Sequence, residues 1–576
     1  MKQIKVSDYI AEFLQVQKIT HVFEVAGGMI THLLDSLYQC GTSHIISVHH
    51  EQAAAFAADA YGRITGKPGV ALATSGPGAT NLLTGIASCY FDSSPALFIT
   101  GQVNTYEQKG ARKIRQHGFQ ETNIIAMALP ITKKTFQIDT AEQVETVMNE
   151  AYECAISGRP GPVLIDLPMN IQREKINVAP IQLIKKNPIA AELLQVQINL
   201  LEEYIKSAKR PLILLGGGVQ RAHAGKECLK FVELAQIPVV TSLLALDSIP
   251  FDHPFRVGFI GTYGNRWANL ALSKADLLIV IGSRLDVRQT GADVDGFRKY
   301  KTVIHIDCDE NEINNRVKNC ISIVADAKDF FQQANAQLNL QHTSYDNWLH
   351  EIELLKKRWP DVNELRNVTG INPNCFMHSL SNCSKQATAY VVDVGSHQMW
   401  AAQSLEICTN QLFLTSGGMG AMGFALPAAI GTSLAQGKKP VVVIVGDGAF
   451  QMNIQELQTV VRNRIPLKIV VINNNCLGMI RQFQDSYFEG RHQSTFWGYS
   501  APDFNSIAKA YGIVAKTVAL SEEIEKAINW LWTKPDEPAL LQVMVSSQMN
   551  VYPKIAFGRP ISEMEPFALP TSIEST

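Results

Sequence analysis

The feature that most constrains the fold of this chain is the alternation of short β-branched runs with longer amphipathic stretches along its whole length. This alternation is typical of βαβ units, in which crossover helices join parallel strands. The runs that we predict as buried strands are residues 45–48, 70–73, 211–215, 277–281, 302–306, 390–394, 441–445 and 468–472. The sequence therefore predicts an α/β protein built from doubly wound parallel sheets.

A chain of 576 residues is too long for one hydrophobic core. We predict that the charged, proline-containing stretch 174–188 is a linker and that a polar helix within 346–366 leads into another block of strands. The expected division is three domains, followed by a short tail. Their predicted bounds are residues 1–175, 190–345 and 370–550, with the tail at 551–576.

Composition and charge argue against several classes of function. The formal net charge of −2 gives no electrostatic basis for binding nucleic acid or an anionic membrane. The longest apolar runs are of buried-strand length, well short of a membrane span, and no secretory signal is visible. The ten cysteines include no C-x-x-C pair, so we expect reduced thiols in a cytoplasmic protein.

The most informative motif lies between residues 446 and 479. A buried strand is followed by Gly446-Asp447-Gly448, then by a predicted helix (453–462), a second strand and Asn473-Asn474. A strand–helix–strand crossover opens both loops at the same sheet edge, where α/β sheets bind ligands. Asp447 and Asn474 offer oxygen ligands for Mg²⁺, and the flanking glycines let backbone amides approach phosphate groups. Either element alone would be read as a turn or a strand cap, but the pair at this spacing favours a metal–diphosphate site.

This pair resembles the signature of thiamine-diphosphate enzymes, in which GDG is followed by NN. Over nearly its whole length the chain is similar to the acetohydroxyacid (acetolactate) synthase family. The segments that carry the resemblance are residues 22–28, 50–81, 100–105, 118–121, 157–168, 395–403, 415–431 and 446–479. The resemblance implies three α/β domains: a pyrimidine-binding domain, a central dinucleotide-type domain and a diphosphate-binding domain.

The resemblance also assigns residues to thiamine diphosphate and its metal. Mg²⁺ would be bound by Asp447, by the Asn474 side chain and by the Cys476 backbone carbonyl. The diphosphate would be held by Ser396, His397 and Gln398, and Met422 would keep the cofactor bent; ordinary core packing is the alternative for this methionine. The other positions expected to contact the cofactor are Gly420, Gly446, Gly448, Ala449, Leu477, Gly478 and Met479.

A carboxyl group is needed to exchange a proton with the aminopyrimidine of the cofactor. Glu51 follows the strand at 45–48 and begins a small-residue helix, and it matches the family's catalytic glutamate. On its own, a glutamate in a first helical turn is usually only a favourable partner of the helix dipole. Gln120, Phe119 and Gly28 would line the reacting centre. Because the family places Glu51 and Asp447 on different chains around one cofactor, a homodimer or homotetramer is implied.

The middle domain is similar to the FAD-binding domain of the same family. The glycines that end the strand at 211–215 are a common place for backbone to approach a ligand, but they are a weak signal alone. By the resemblance, FAD would contact Gly216, Gly217, Arg284, Asp307 and Asp326. The alternative for Arg284 is a surface ion pair. FAD would be structural, because carboligation involves no net redox change.

The substrates implied are pyruvate or a related 2-keto acid and a carbonyl acceptor, with a possible regulatory subunit. Arg288 matches the arginine that recognises the acceptor carboxylate, a task that suits a guanidinium fork, although a solvated charge is the alternative. Four positions depart from the family pattern: Phe483, Met169, Met29 and Asn104. The chain also looks like thiamine flavoenzymes of surface-polysaccharide clusters, so transfer of the two-carbon unit to a nucleotide-linked ketosugar is the second hypothesis.

Overall fold

The structure is a computed structural model that describes residues 2–185, 194–340, 344–365 and 369–571. Within them lie three parallel six-stranded sheets and two short antiparallel ribbons. The predicted fold class is therefore confirmed. All eight predicted strands are present, with ends that differ from the prediction by at most two residues.

The first sheet has the strand order β3-β2-β4-β5-β7-β6. The strands of this region are β1 (Lys2–Lys5), β2 (His21–Glu24), β3 (His44–Ser47), β4 (Gly69–Ala73), β5 (Ala96–Gln102), β6 (Lys134–Gln137), β7 (Pro162–Pro168) and β8 (Lys175–Val178). The helices are α1 (Val6–Val16), α2 (Thr31–Cys40), α3 (Glu51–Thr65), α4 (Pro77–Asn81), α5 (Leu83–Phe91), α6 (Ile124–Ala128), α7 (Gln143–Ile156) and α8 (Met169–Arg173). The winding direction reverses between β2 and β4, which is where such sheets bind ligands.

The linker prediction for 174–188 was wrong in its first part. Strand β8 pairs antiparallel with β1, and Ile176 and Val178 are buried in the core of the first domain. The apolar side chains of β8 alternate with polar ones, which suits a strand with one face buried. Residues 186–188 of the predicted linker lie outside the described residues.

The second sheet has the order β11-β10-β9-β12-β13-β14, the arrangement of dinucleotide-binding sheets. Its strands are β9 (Pro211–Leu215), β10 (Val239–Thr241), β11 (Arg256–Phe259), β12 (Leu277–Ile281), β13 (Thr302–Asp307) and β14 (Ile321–Val324). The helices are α9 (Leu194–Ser207), α10 (Gly218–Arg221), α11 (Gly225–Ala235), α12 (Arg266–Lys274), α13 (Val287–Thr290), α14 (Val294–Arg298), α15 (Ala327–Gln337) and α16 (Asp346–Arg358). Here the reversal point lies between β9 and β12.

The third sheet has the order β16-β15-β17-β18-β20-β19, which repeats the topology of the first sheet. Its strands are β15 (Ala389–Val392), β16 (Leu412–Thr415), β17 (Val441–Gly446), β18 (Leu467–Asn473), β19 (Val514–Val518) and β20 (Ala539–Met544). The helices are α17 (Pro373–Cys383), α18 (Ser396–Ser404), α19 (Ala425–Ala435), α20 (Asp447–Phe450), α21 (Leu457–Asn463), α22 (Gly478–Tyr487), α23 (Phe504–Ala510) and α24 (Ile524–Leu531). Its reversal point lies between β15 and β17.

The C-terminal segment forms a ribbon of β21 (Lys554–Ile555) and β22 (Met564–Glu565). Ile555, Ile561 and Met564 pack into the core of the middle domain. The described part of the predicted tail is therefore integrated into the fold.

Helix α3 joins the first and third domains. Its alanines let neighbouring helices approach closely: a Cβ on Gly431 of α19 would lie 2.1 Å from the Ala57 carbonyl oxygen. A Cβ on Gly85 of α5 would likewise meet Ala55 at 2.2 Å. The small-residue composition of α3 thus serves helix packing, and this packing fixes the direction in which Glu51 is presented.

Two further expectations concern cysteines and membranes. All ten cysteines are free thiols in the structure, as expected. Among the described helices, none combines the length and the apolar character that crossing a bilayer requires.

Candidate active site

Asp447 and Asn474 lie at the carboxyl ends of two adjacent strands. Asp447 is the first residue of α20, directly after β17, and Asn474 follows β18, which pairs with β17 in register. Both residues are buried. Burial raises the pKa of the Asp447 carboxyl to about 6, and the Tyr499 hydroxyl donates a hydrogen bond to its Oδ2 at 3.1 Å. A divalent cation would offset the cost of holding this carboxylate in a buried place.

Ser396 faces the same edge from the neighbouring strand β15. Its hydroxyl oxygen is buried and has no hydrogen-bond partner within the described residues. A Cβ on Gly478 would lie 2.7 Å from that oxygen and 2.8 Å from Asn474 Nδ2. Gly478 therefore leaves room for two polar side chains to converge, and Ser396 retains a hydroxyl for an anionic ligand such as a diphosphate.

His397 and Gln398 hold the protein chain through their side chains. His397 Nε2 accepts a hydrogen bond from the Gly446 amide at 3.2 Å, and its ring also bonds the backbone of Asp393. Burial lowers the pKa of His397 to about 3, so the imidazole is neutral. Gln398 Nε2 donates to Thr415 Oγ1 at 2.7 Å. The Gln398 amide also donates to the Gly395 carbonyl at 3.1 Å, so what the first turn of α18 offers to an anion is the amides that precede Gln398.

The predicted helix 453–462 begins four residues later than expected, at Leu457, and a separate short helix precedes it at the GDG motif. Helix α20 begins at Asp447 and ends at Phe450, with Ala449 buried inside it; α21 begins only at Leu457. Between them, Asn453 donates hydrogen bonds to the Gly423 carbonyl and to Gln52 Oε1, which ties this turn to the surrounding elements. The N-terminus that points toward the predicted diphosphate site is thus that of α20.

Met422 lies in the loop 416–424 that enters α19. A Cβ on Gly448 would lie 3.5 Å from Met422 Cε, 2.6 Å from Leu477 and 3.3 Å from Tyr499 Oη. Gly420 in the same loop has a φ of +63°, a conformation that favours glycine. Met422 therefore borders the GDG turn. Met479, the other methionine predicted to contact the cofactor, lies in the first turn of α22.

Glu51 begins α3 at the edge of the first sheet. It is buried, and Asn81 Nδ2 donates a hydrogen bond to its Oε2 at 2.9 Å. A Cβ on Gly78 would lie 3.2 Å from Oε1. Asn81 therefore orients one carboxylate oxygen while glycine at 78 keeps space beside the other.

The loop that carries Phe119 and Gln120 closes over this edge. Gln120 has a φ of +66°, and a Cβ on Gly76 would lie 3.0 Å from the Gln120 Cβ. Phe119 is 80% exposed in the single chain. Gly28 lies beyond β2, and because a Cβ there would meet no described atom within 4 Å, this glycine borders open space.

The predicted residues therefore form two groups, one around Glu51 and one around Asp447. In the described part of the chain, no hydrogen bond links these two carboxylates. Within one chain their domains are joined by the packing of α3 on α19 and by several hydrogen bonds, among them that from Asn453 to Gln52 at 3.1 Å.

A third feature is a cleft at the reversal point of the middle sheet. Its lining includes Gly217, Arg284, Asp307 and Asp326 from the predicted FAD contacts, together with Arg288. A cleft at this position of a sheet with this strand order is where dinucleotides bind.

The predicted FAD contacts have different local roles. Gly216 is required by packing, because its Cβ would lie 2.1 Å from the Gly282 carbonyl oxygen. Asp326 caps α15 by accepting from the Lys328 amide at 2.8 Å. Arg284 donates to Asp286 at 3.1 Å. Burial raises the pKa of the Asp307 carboxyl, which ends β13 and lines the cleft.

Arg288 lies in α13 with an exposed side chain at the rim of the cleft. The turn that carries it is fixed, because Asp286 accepts from the Arg288 amide at 3.0 Å and Thr262 Oγ1 donates to the Arg288 carbonyl at 3.1 Å.

The four departures from the family pattern lie apart from one another along the chain. Phe483 is in α22, Met169 begins α8, Met29 is in the turn after β2, and the buried Asn104 bonds Glu107.

Sequence reasoning missed two polar residues of the candidate site, Asn81 and Tyr499. Asn81 ends the short helix that follows the Gly76-Pro77-Gly78 turn, so its position after a glycine-rich turn was a usable signal. Tyr499 lies 52 residues from Asp447 in a segment without regular structure, and no sequence pattern indicates their contact.

Three family matches follow one another along the chain. Residues 4–127 match "Thiamine pyrophosphate enzyme, N-terminal TPP binding domain". Residues 198–334 match the central domain of the same enzymes, and residues 393–543 match their C-terminal TPP binding domain. Each match falls on a different one of the three parallel sheets and covers most of its strands.

Full-length relatives have one activity in common. The acetolactate synthase isozyme 2 large subunit of Escherichia coli (strain K12) is 36% identical over 97% of this chain and 98% of its own length. A probable acetolactate synthase large subunit of Methanococcus aeolicus is 38% identical over 94% of this chain and 92% of its own. The acetolactate synthase large subunit of Corynebacterium glutamicum is 36% identical over 94% and 87%, respectively.

Proposed function

The chain belongs to the acetolactate synthase-like family of thiamine pyrophosphate enzymes, and from that premise we propose that it decarboxylates pyruvate and joins the two-carbon unit to a second 2-keto acid. It is a carboligase that depends on thiamine diphosphate, the same compound as thiamine pyrophosphate. The observation that carries the proposal is the meeting of Asp447, Asn474 and Ser396 at one sheet edge of a chain whose full-length relatives are acetolactate synthases.

Mg²⁺ fits the residues at that edge. The Asp447 carboxylate is buried, the Asn474 amide oxygen is close by in the next loop, and the Cys476 carbonyl belongs to the same loop. Mg²⁺ commonly takes one or two protein carboxylates or carbonyls and completes its shell with phosphate oxygens and water. Asp447, Asn474 and Cys476 would thus hold the ion and, through it, the diphosphate. Ser396 and the amides of α18 and α20 would bind the remaining phosphate oxygens.

Thiamine diphosphate, when bound, supplies an electron sink for the loss of carbon dioxide from a 2-keto acid. The protein's part is to bind, orient and exchange protons. Glu51, with Oε2 held by Asn81, would exchange a proton at Oε1 with the aminopyrimidine. Met422 would support the bent cofactor from the side of Gly448, and Gln120 would donate a hydrogen bond to the substrate oxygen.

FAD fits the middle cleft. The strand order and the glycines that end β9 are those of a dinucleotide site, and the half-buried Asp307 carboxyl lines the cleft. Gly217, Arg284, Asp307 and Asp326 would contact it, and Gly216 would shape the turn beside it. Because the condensation is redox-neutral, the role of FAD would be structural. Retention of the flavin is tested by its absorbance in the purified protein.

We propose that two copies complete each site. Glu51 and Asp447 have no direct hydrogen bond in the single chain, and apolar side chains beside both groups are exposed, among them Phe119 and Met452. Mixing Glu51→Gln and Asp447→Asn proteins tests this idea. If sites are shared, random mixed dimers contain one intact site each, so about a quarter of the wild-type activity should return. Lack of recovery in a mixture shown to exchange subunits would contradict shared sites.

The acceptor is tested with pyruvate alone. The proposal predicts acetolactate in a fixed ratio to carbon dioxide, detected by mass spectrometry, with thiamine diphosphate and Mg²⁺ present. Release of carbon dioxide without acetolactate would contradict a keto-acid acceptor, and other acceptors would then have to be assayed. Ketosugars are one such class, although the relatives give no support for them. A regulatory subunit belongs to the same proposal, since several relatives are described as large subunits. A cytoplasmic location is proposed from the free cysteines.

A further inference from the structure

One buried aspartate, Asp92, connects all three domains through its carboxylate and its backbone carbonyl. Asp92 lies at the end of α5 in the first domain, and its Oδ2 accepts hydrogen bonds from the Gly417 amide at 2.9 Å and from Arg63 Nη2 at 3.0 Å. Its Oδ1 accepts from the Gly418 amide at 2.7 Å. Two consecutive amides of the third domain thus bind one side chain of the first domain.

The amides that Asp92 binds begin the loop that presents Met422. At its far end, buried Asp393 accepts from the Gly423 amide at 3.0 Å and from the Ala425 amide at 2.7 Å. The loop is therefore held between two carboxylates, and Asp92 is the one that comes from outside its own domain. Hydrogen bonds from amides to a buried carboxylate are among the stronger ones in proteins, so Asp92 sets where the loop begins.

The third connection is to the middle domain. Arg221 Nε donates a hydrogen bond to the Asp92 carbonyl at 3.1 Å. Arg221 is half-buried, and desolvation, followed by the nearby charge of Arg63, lowers the pKa of its guanidinium to about 10. An anionic or polar ligand that approaches the Arg221 guanidinium would therefore stabilise its charge, because it would replace part of the lost hydration.

The same residues form a wall of the middle-domain cleft. Its lining includes Asp92, Arg221, Gly417 and Gly418, with Phe91 and Ser93 beside them. The wall of the cleft and the anchor of the Met422 loop are therefore one group of residues, so a molecule that orders the wall also orders the anchor.

We propose that Asp92 is a positioning residue through which occupancy of the middle-domain cleft strengthens the binding of thiamine diphosphate. The inference rests on the proposed function, since it takes FAD as the molecule in the cleft. FAD that fixes Arg221, Gly417 and Gly418 would order the start of the Met422 loop. Less conformational entropy is then lost when thiamine diphosphate binds. Such coupling is reciprocal, so thiamine diphosphate strengthens FAD binding by the same factor.

The test measures the Kd of thiamine diphosphate, with Mg²⁺, in protein stripped of flavin and in the same protein reloaded with FAD, by calorimetry. In the wild type we expect FAD to lower this Kd by about 5-fold or more, the lower range of allosteric coupling. In Arg221→Gln the ratio should fall to about one, and Arg221→Lys, which keeps a donor and a charge, should restore part of it. Partial unfolding of a variant would raise this ratio and not lower it, because FAD would restore the folded state that binds thiamine diphosphate.

Arg284→Gln is the matched control, because Arg284 lines the cleft but bonds only Asp286 of its own domain among the described residues. It should weaken FAD binding and leave the coupling ratio at the wild-type value. Asp92→Asn provides a second variant if it folds. Its ratio of thiamine diphosphate Kd values without and with FAD should also fall to about one.

Equal thiamine diphosphate affinities with and without FAD in the wild type would overturn the inference. So would a wild-type ratio in Arg221→Gln. Failure of the wild type to bind thiamine diphosphate at all would instead refute the proposed function. Failure to bind FAD would refute the cofactor assignment and the coupling with it.

Discussion

Asn81 Nδ2 donates a hydrogen bond to Glu51 Oε2 at 2.9 Å, so the carboxylate at the start of α3 has one oxygen fixed by the neighbouring helix α4. We expect Glu51→Gln to keep its affinity for thiamine diphosphate and to lose turnover by roughly 10²–10⁴-fold, the usual contribution of a positioned acid–base group. Steady-state kinetics and calorimetry on the same protein would measure both quantities. Wild-type turnover in this variant would refute the role of Glu51.

Asn81→Ala tests whether orientation of Glu51 matters. The variant keeps the carboxylate but frees its Oε2, and we expect kcat to fall about 10-fold, the value of one hydrogen bond to a charged group. KM should change little, because Asn81 does not contact the substrate in the proposed arrangement. A raised KM with unchanged kcat would show instead that Asn81 acts in binding.

Removal of Asp447 should abolish the metal-dependent part of cofactor binding. Asp447→Ala deletes the buried carboxylate that we place on Mg²⁺, so calorimetry should detect no Mg²⁺-dependent binding of thiamine diphosphate. The matched control is Cys476→Ser. Only the backbone carbonyl of Cys476 is proposed as a ligand, and its thiol points to the Ser547 carbonyl at 3.7 Å. If both variants lose binding equally, the assignment of individual ligands is wrong.

Much of the fold and the core of the site follow from the sequence for a simple geometric reason. Parallel strands joined by a crossover open at one edge, so the order of β17, α21 and β18 alone brings Asp447 beside Asn474. The same rule places Glu51 at the edge of the first sheet. Strand β8 was missed because a short strand at the boundary of a domain has a weak apolar pattern.

Contacts between distant segments could not be predicted in this way. Tyr499 reaches Asp447 across 52 residues, and the Gly418 amide reaches Asp92 across 326. Neither contact belongs to a repeating unit, since each depends on how complete domains pack together. The hydrogen bonds of the His397 and Gln398 side chains could not be predicted either. The motif gives the positions of these residues but not their partners, the Gly446 amide and the Thr415 hydroxyl.

Arg288 is expected to determine the affinity for a keto-acid substrate. Arg288→Gln removes the guanidinium at the rim of the cleft, and we expect the KM for pyruvate in acetolactate formation to rise about 10-fold or more, as loss of a charge-assisted hydrogen bond predicts. Arg288→Lys keeps the charge without the fork and should give an intermediate value. The Kd of thiamine diphosphate should stay unchanged in both variants. An unaltered KM in Arg288→Gln would exclude contact with the acceptor carboxylate.

His378 is expected to make the stability of the protein depend on pH. Its Nε2 lies 2.9 Å from Asp361 Oδ2 and its Nδ1 lies 2.8 Å from Glu406 Oε1, while the Phe251 ring makes a T-shaped contact with it at a centroid distance of 6.3 Å. Burial alone would lower the pKa of His378, but the two carboxylates outweigh it and raise this pKa above its ordinary value of 6.5. The charged imidazolium therefore stabilises the folded protein fully below pH 6.5, and this contribution is lost as pH rises through the raised pKa.

The variant His378→Gln isolates this contribution. Its melting temperature should lie below that of the wild type at about pH 6, because it lacks the cation between two carboxylates, and the difference should shrink toward about pH 9. His350→Gln is a suitable control, since His350 is 68% exposed and only 4.0 Å from a similarly exposed Glu353. Its melting temperature should follow the wild type at every pH. A difference between His378→Gln and the wild type that is constant with pH would show that His378 contributes by packing and not by charge.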